Sequence, residues 1–124
     1  MYKYKELKFY QRAEVLSKDV FDLTMRFPKF ETYELGSQMR RASDSIGLNI
    51  AEGGTKETVK DMVSYLRHAL GSVDETEVQF GKVIHRGYIT KEKGEEYVRE
   101  LKEIGRMING FIRKLKERGD KFKK

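Results

Sequence analysis

Apolar residues recur along this chain at alternating gaps of four and three, in four separate runs. Phe9, Ala13, Leu16, Val20, Leu23 and Phe27 make the first, and Leu35, Met39, Ala42 and Ile46 the second, with Asn49 in its next position. Met62, Leu66, Ala69, Val73, Thr76, Phe80 and Val83 make the third, and Tyr97, Leu101, Ile104, Ile108, Phe111 and Leu115 the fourth. A mean spacing of 3.5 residues is the a/d seam of packed helices. The spacing predicts helices over about residues 9–26, 32–52, 57–86 and 91–118. Pro28 disfavours helical geometry at Phe27 and closes the first. Gly53-Gly54 are expected to end the second in the left-handed conformation. Thr55 or Thr58 can cap the third, Thr58 with Asp61 three residues on resembling a capping box, and Thr90 is an N-cap for the fourth. Arg86-Gly87 ends the third with a cation at the negative end of its dipole. Short links favour antiparallel neighbours. The expected fold is therefore all-α: a single domain, residues 1–124, forming an up-down-up-down four-helix bundle with left-handed supercoil. Tyr2 and Tyr4, alternating with Lys3 and Lys5, read as an extended lead-in that packs a tyrosine on a neighbour.

A second stripe runs beside the seam of the second helix: Gln38, Arg41, Ser45, Asn49 and Glu52. A solvated flank would carry Lys and Glu, whereas this one carries mostly short hydrogen-bonding groups, so it reads as a structural polar network at the edge of the core. Asn49, at a core position, is of the type that fixes register. Arg41 is costly to bury alone, and Glu75 on the next helix is its expected partner. Six glycines, Gly36, Gly47, Gly71, Gly81, Gly105 and Gly110, lie beyond the first turn of the predicted helices, each costing about 1 kcal/mol against alanine. Close helix approach is expected to offset this at Gly47 and at Gly71-Ser72. A further seam, Val98, Gly105 and Ile112, marks either a subunit contact or a wider core.

The segment from Gln38 to Gly53, QMRRASDSIGLNIAEG, resembles the signature of the four-helix-bundle proteins encoded by intervening sequences in bacterial 23S ribosomal RNA genes. Phe27-Pro28 before it and Ala69-Leu70-Gly71-Ser72-Val73-Asp74-Glu75 after it match similar segments of that family, and roughly residues 6–115 can be laid along the pattern. The resemblance implies a four-helix bundle and a homo-oligomer, a pentamer by analogy with family members, and it implies no settled biochemical activity. Some bundles similar to this family act as partners of reverse transcriptases in diversity-generating retroelements, which adds a reverse transcriptase to the partner classes by analogy.

Composition narrows the chemistry. The 124 residues contain no cysteine, which excludes thiol catalysis and fits a reducing compartment. No apolar run approaches the ~18 residues of a membrane span, and Met1–Glu6 has no signal-type apolar core, so a soluble cytoplasmic protein is expected. His68 and His85 are preceded at three residues by Tyr65 and Lys82, not by the glutamates of a di-iron bundle, and both read as surface residues. Glu52-Gly53-Gly54-Thr55 lacks the lysine and spacing of a phosphate loop. Arg41, Asn49, Glu52 and Glu75 could in principle form an acid-base site, yet as a set they read as structural. No cofactor, metal or catalytic residue is assigned, and no enzyme activity is expected.

The net charge is +6, and residues 113–124 hold seven basic against two acidic side chains, +5 of that total. Two functions follow. One is an accessory nucleic-acid-binding module, for RNA or DNA, contacting phosphates through Arg40, which faces away from the seam, and through Arg113, Lys114, Lys116 and Arg118. No base-reading motif appears, so binding would be led by the backbone. The alternative is a structural or protein-binding module with no nucleic-acid role, its charges paired along helices as in Glu95–Arg99 and Arg99–Glu103.

Overall fold

The computed structural model describes residues 2–119. Among them the fold is all-helical, a four-helix bundle with no strand. A 3-10 turn at Tyr4–Glu6 leads into α1 (Lys8–Thr24), one turn of helix α2 (Lys29–Thr32), and then α3 (Leu35–Gly54), α4 (Val59–His85) and α5 (Lys91–Arg118). The seams explain the packing. Val20, Met39, Ile46, Met62, Leu66, Phe80, Leu101, Ile104 and Ile108 are all fully buried and come from all four long helices. Each such side chain contributes about 1.5–3 kcal/mol of burial. The most extensive contact is α3 on α4, followed by α4 on α5 and α1 on α3, while α1 and α5 meet over a shorter length.

The capping oxygens act where the sequence places them. Thr58 accepts the N–H of Asp61 and Thr90 that of Lys93, both at 3.1 Å. Gly87 takes φ +78 after α4. Gly53 and Gly54 differ from expectation. They lie inside α3, buried, with ordinary negative φ. Their smallness serves packing instead: a Cβ on Gly53 would crowd Tyr65 at 3.2 Å and the Met62 carbonyl at 3.3 Å, and one on Gly54 would sit 3.0 Å from Tyr4. The lead-in explains the second contact, since the Tyr2 N–H donates to the Gly54 carbonyl at 3.0 Å. Tyr2 also meets Phe111 edge-on, with centroids 5.2 Å apart.

Gly47 faces Glu14 and Tyr10 of α1, a close approach as anticipated, whereas nothing lies within 4 Å of a Cβ at Gly71. Gly105 and Ile112 of the second seam are buried within the single chain and Val98 is half-buried, so much of that seam belongs to the core.

The polar stripe splits. Its inner part forms a network: Asn49 Nδ2 donates to the Ser45 carbonyl and hydroxyl at 2.9 and 3.0 Å, and Ser72 of α4 donates to the Ser45 hydroxyl at 2.9 Å. Gln38, Arg41, Glu52 and Glu75 are exposed. Arg41 donates to Ser37 at 2.8 Å and makes no ion pair with Glu75. The expected Arg41–Glu75 pair is therefore not formed. The seam turns at Ile50, which is fully buried, and so carries Arg41 outward where it needs no counter-ion.

Candidate nucleic-acid interface

Two ionic ties fix the ends and the middle of the bundle. Glu31 of α2 is only 6% exposed. Its carboxylate accepts from the Tyr88 hydroxyl at 2.8 Å and from Arg86 Nη1 at 3.0 Å, and also from the Leu35 N–H. The Tyr88 hydroxyl, first among these donors, holds the Glu31 carboxyl below the usual carboxylate range, and the same bond raises Tyr88. Arg12 of α1 grips Glu100 of α5 through two bonds, at 2.8 and 2.6 Å, which raises the Arg12 guanidinium further. Both ties join residues more than fifty positions apart, and nothing local in the sequence announces them.

Arg40 belongs to this structural set. It was expected as a phosphate contact, but it is half-buried. Its Nη1 donates to the Thr24 hydroxyl at 2.9 Å and its Nη2 to the Thr32 carbonyl at 3.0 Å. The guanidinium thus braces the turn between α1 and α3, satisfying a carbonyl at the end of α2, and it leaves the list of phosphate contacts for that reason.

The charges of α5 divide along its length. In its first half, Lys93 pairs with Glu96 at 3.3 Å and Lys102 reaches Glu77 of α4 at 2.9 Å. Just beyond, Arg106 pairs with Glu103, and the bond lowers the Glu103 carboxyl. Neither of the expected pairs, Glu95–Arg99 and Arg99–Glu103, forms: Arg106, three residues on, claims the Glu103 carboxylate, and Arg99 makes no ion pair among the described residues. Farther along, Arg113, Lys114 and Lys116 are exposed, and none has an acidic partner within ion-pair distance among the described residues. Arg118 hydrogen-bonds the Tyr2 hydroxyl. Residues 105–118 carry five basic side chains against Glu117, a net +4.

Packing gathers more cations at this end. Lys8 lies with Arg113 and Lys114 along a trough between α1 and α5, and Lys60 of α4 lies with Lys116. The result is a basic pole. The remaining cations of the expected basic tail, Lys121, Lys123 and Lys124, lie outside the described residues.

His68 and His85 are exposed, His68 edge-on to Tyr65. Among the described residues, no group of three His, Cys, Asp or Glu side chains could hold a metal ion. No helix among them is long and apolar enough to cross a membrane.

The sequence profile of the 23S rRNA-intervening sequence protein family matches residues 5–110. The chain belongs to this family. A crystal structure of a protein with unknown function from the S23 ribosomal protein family of Bacteroides thetaiotaomicron has the same fold. It superposes with a TM-score of 0.78 at 24% identity, covering 85% of this chain and 95% of that one. No protein of curated function matches the chain in sequence. The family match ends at Gly110, so the cations Arg113, Lys114, Lys116 and Arg118 lie just beyond it.

Proposed function

We propose that this member of the 23S rRNA-intervening sequence protein family is a non-catalytic accessory module that binds RNA or DNA through its basic pole. The observation that carries the reading is the run of exposed cations near the end of α5, Arg113, Lys114 and Lys116, none of which has an acidic partner among the described residues. Unpaired cations hold a counter-ion atmosphere that a phosphate backbone displaces, and releasing it drives binding. The chain acts in the cytoplasm as an up-down-up-down, left-handed bundle that self-associates, a pentamer by family resemblance. Supporting self-association, Phe21 of α1 and Met25 just past its end stand four apart, and Phe30 and Tyr33 three apart around α2, all at least half exposed. Five copies would multiply the +6 charge and sharpen the attraction.

The test is a titration of labelled RNA and DNA at two salt concentrations, with light scattering for mass. Affinity should fall steeply with salt. The variant Arg113→Gln/Lys114→Gln/Lys116→Gln should flatten the salt dependence by about 2–3 in log–log slope per bound chain. Absence of binding at low salt would overturn the reading. The alternative, a protein-binding module with no nucleic-acid role, draws support from the paired, mixed-sign first half of α5. A reverse transcriptase is the partner class that the resemblance offers.

A further inference from the structure

The basic pole is more than a cluster of cations. Between the start of α1 and the second half of α5 runs an open trough with an apolar floor of Leu7, Met107 and Phe111, with Phe9 beneath. Phe111 is fixed between Tyr2 and Phe9, edge-on to both, with centroids 5.2 and 5.3 Å apart. Arg12, held by Glu100, reaches the sulfur of Met107 at 3.6 Å and so fixes that part of the floor.

Gly110 lines this trough. It sits inside α5, where glycine costs about 1 kcal/mol against alanine. Nothing among the described residues requires it: there an added Cβ would meet only the Arg113 guanidinium, at an ordinary 3.6 Å. Its missing side chain leaves the trough deeper than the fold demands. Lys8, Arg113 and Lys114 form the rim, and the acids of the lining are Glu6 and Glu117.

We infer that this trough seats single-stranded nucleic acid, its bases against the apolar floor and its phosphates along the cationic rim. This rests on the polyanion reading above and adds the strandedness of the ligand. A duplex hides its base faces and can use only the rim. A single strand offers both surfaces, and aromatic and apolar platforms beside cations serve every base alike.

The experiment uses the full chain and a labelled ~12-nucleotide single strand, alone and as its duplex, in fluorescence anisotropy at two salt concentrations. Two variants separate the ideas. Gly110→Leu fills the trough without changing charge, and helix propensity favours it. Arg113→Gln/Lys114→Gln removes rim charge. The expected result is tighter binding of the single strand than of the duplex. Gly110→Leu should weaken the single strand about tenfold, the loss of one base contact, and leave the duplex unchanged. The charge variant should weaken both. A second readout does not depend on either variant: the methyl resonance of Met107 should move with the single strand and not with the duplex, while that of Met25 stays still. Equal affinity for the two forms, or indifference to Gly110→Leu, overturns the trough and leaves the polyanion reading standing. Failure of both forms to bind at low salt removes the polyanion reading itself. Should Gly110→Leu change the particle mass and leave nucleic-acid affinity alone, the trough is a seat for a second copy and the inference falls.

Discussion

Two glycines in α4 meet nothing among the described residues, and replacing them should stabilise the fold. Gly71 and Gly81 are exposed, with no atom of the described residues within 4 Å of an added Cβ. Neither has positive φ, so alanine fits without strain. Each replacement removes roughly 1 kcal/mol of helix penalty, partly by restricting the unfolded chain. The two sites are ten residues apart on a rise of 1.5 Å, or about 15 Å, far enough for the gains to add. The double variant Gly71→Ala/Gly81→Ala should therefore gain about 1.5–2 kcal/mol. For 124 residues at about 2.1 cal/mol/K each, the unfolding entropy is about 260 cal/mol/K, so Tm should rise by about 6–8 °C. Thermal melts followed by circular dichroism or calorimetry measure it directly. Gly87→Ala, at φ +78, serves as the opposite control and should lower Tm. An unchanged or lowered Tm in the double variant would refute the view that this face of α4 is open space.

Three further outcomes test the packing. Gly36→Ala should cost about 1 kcal/mol despite better helix propensity, because its Cβ would lie 3.2 Å from both buried Thr24 and the Glu31 carbonyl, which cannot give way; chemical denaturation measures the loss. Leu66→Ala, at a fully buried site in α4, should cost about 2–5 kcal/mol in the same assay. The depressed Glu31 carboxyl contributes stability that is complete above the unfolded carboxylate range. That stability is lost as pH falls through that range, near 4.5, and on through the lower folded value. Urea midpoints across pH 7 to 3 should accordingly fall less steeply for Glu31→Gln than for the parent chain, and parallel curves would count against the Tyr88–Glu31 bond.

The helices were legible because a buried seam leaves its period in the residues that build it. Val20, Met39, Leu66 and Ile104 stand at their 3.5-residue positions, and each is fully buried. Caps were legible too, since Thr58 and Thr90 act on N–H groups three residues away. The polar sites were less so, for a physical reason. Arg41 and Arg40 are neighbours of the same type, and helix phase alone sent them to opposite fates. The seam read through Asn49 would bury the Arg41 flank, whereas the seam that forms ends on Ile50 and turns Arg40 toward Thr24 and Thr32. One residue of phase, Ile50 in place of Asn49, exchanged a phosphate contact for a brace. The Glu31–Tyr88 and Arg12–Glu100 ties needed the tertiary fold to bring distant segments together.

The same limit bears on the basic pole. Counting charges along the sequence finds an excess at residues 113–124, but a count cannot separate a neutralised cation from a free one. Geometry does. Lys102 is answered from α4 by Glu77, a partner 25 positions away, while Arg113, Lys114 and Lys116 project where no carboxylate of the described chain reaches them. Stability alone does not account for exposed, unpaired cations placed side by side, because like charges repel and surface pairs contribute at most about 1 kcal/mol each. The placing of Arg113 and Lys114 on an apolar trough lined by Gly110 fits a ligand that is at once anionic and flat-faced.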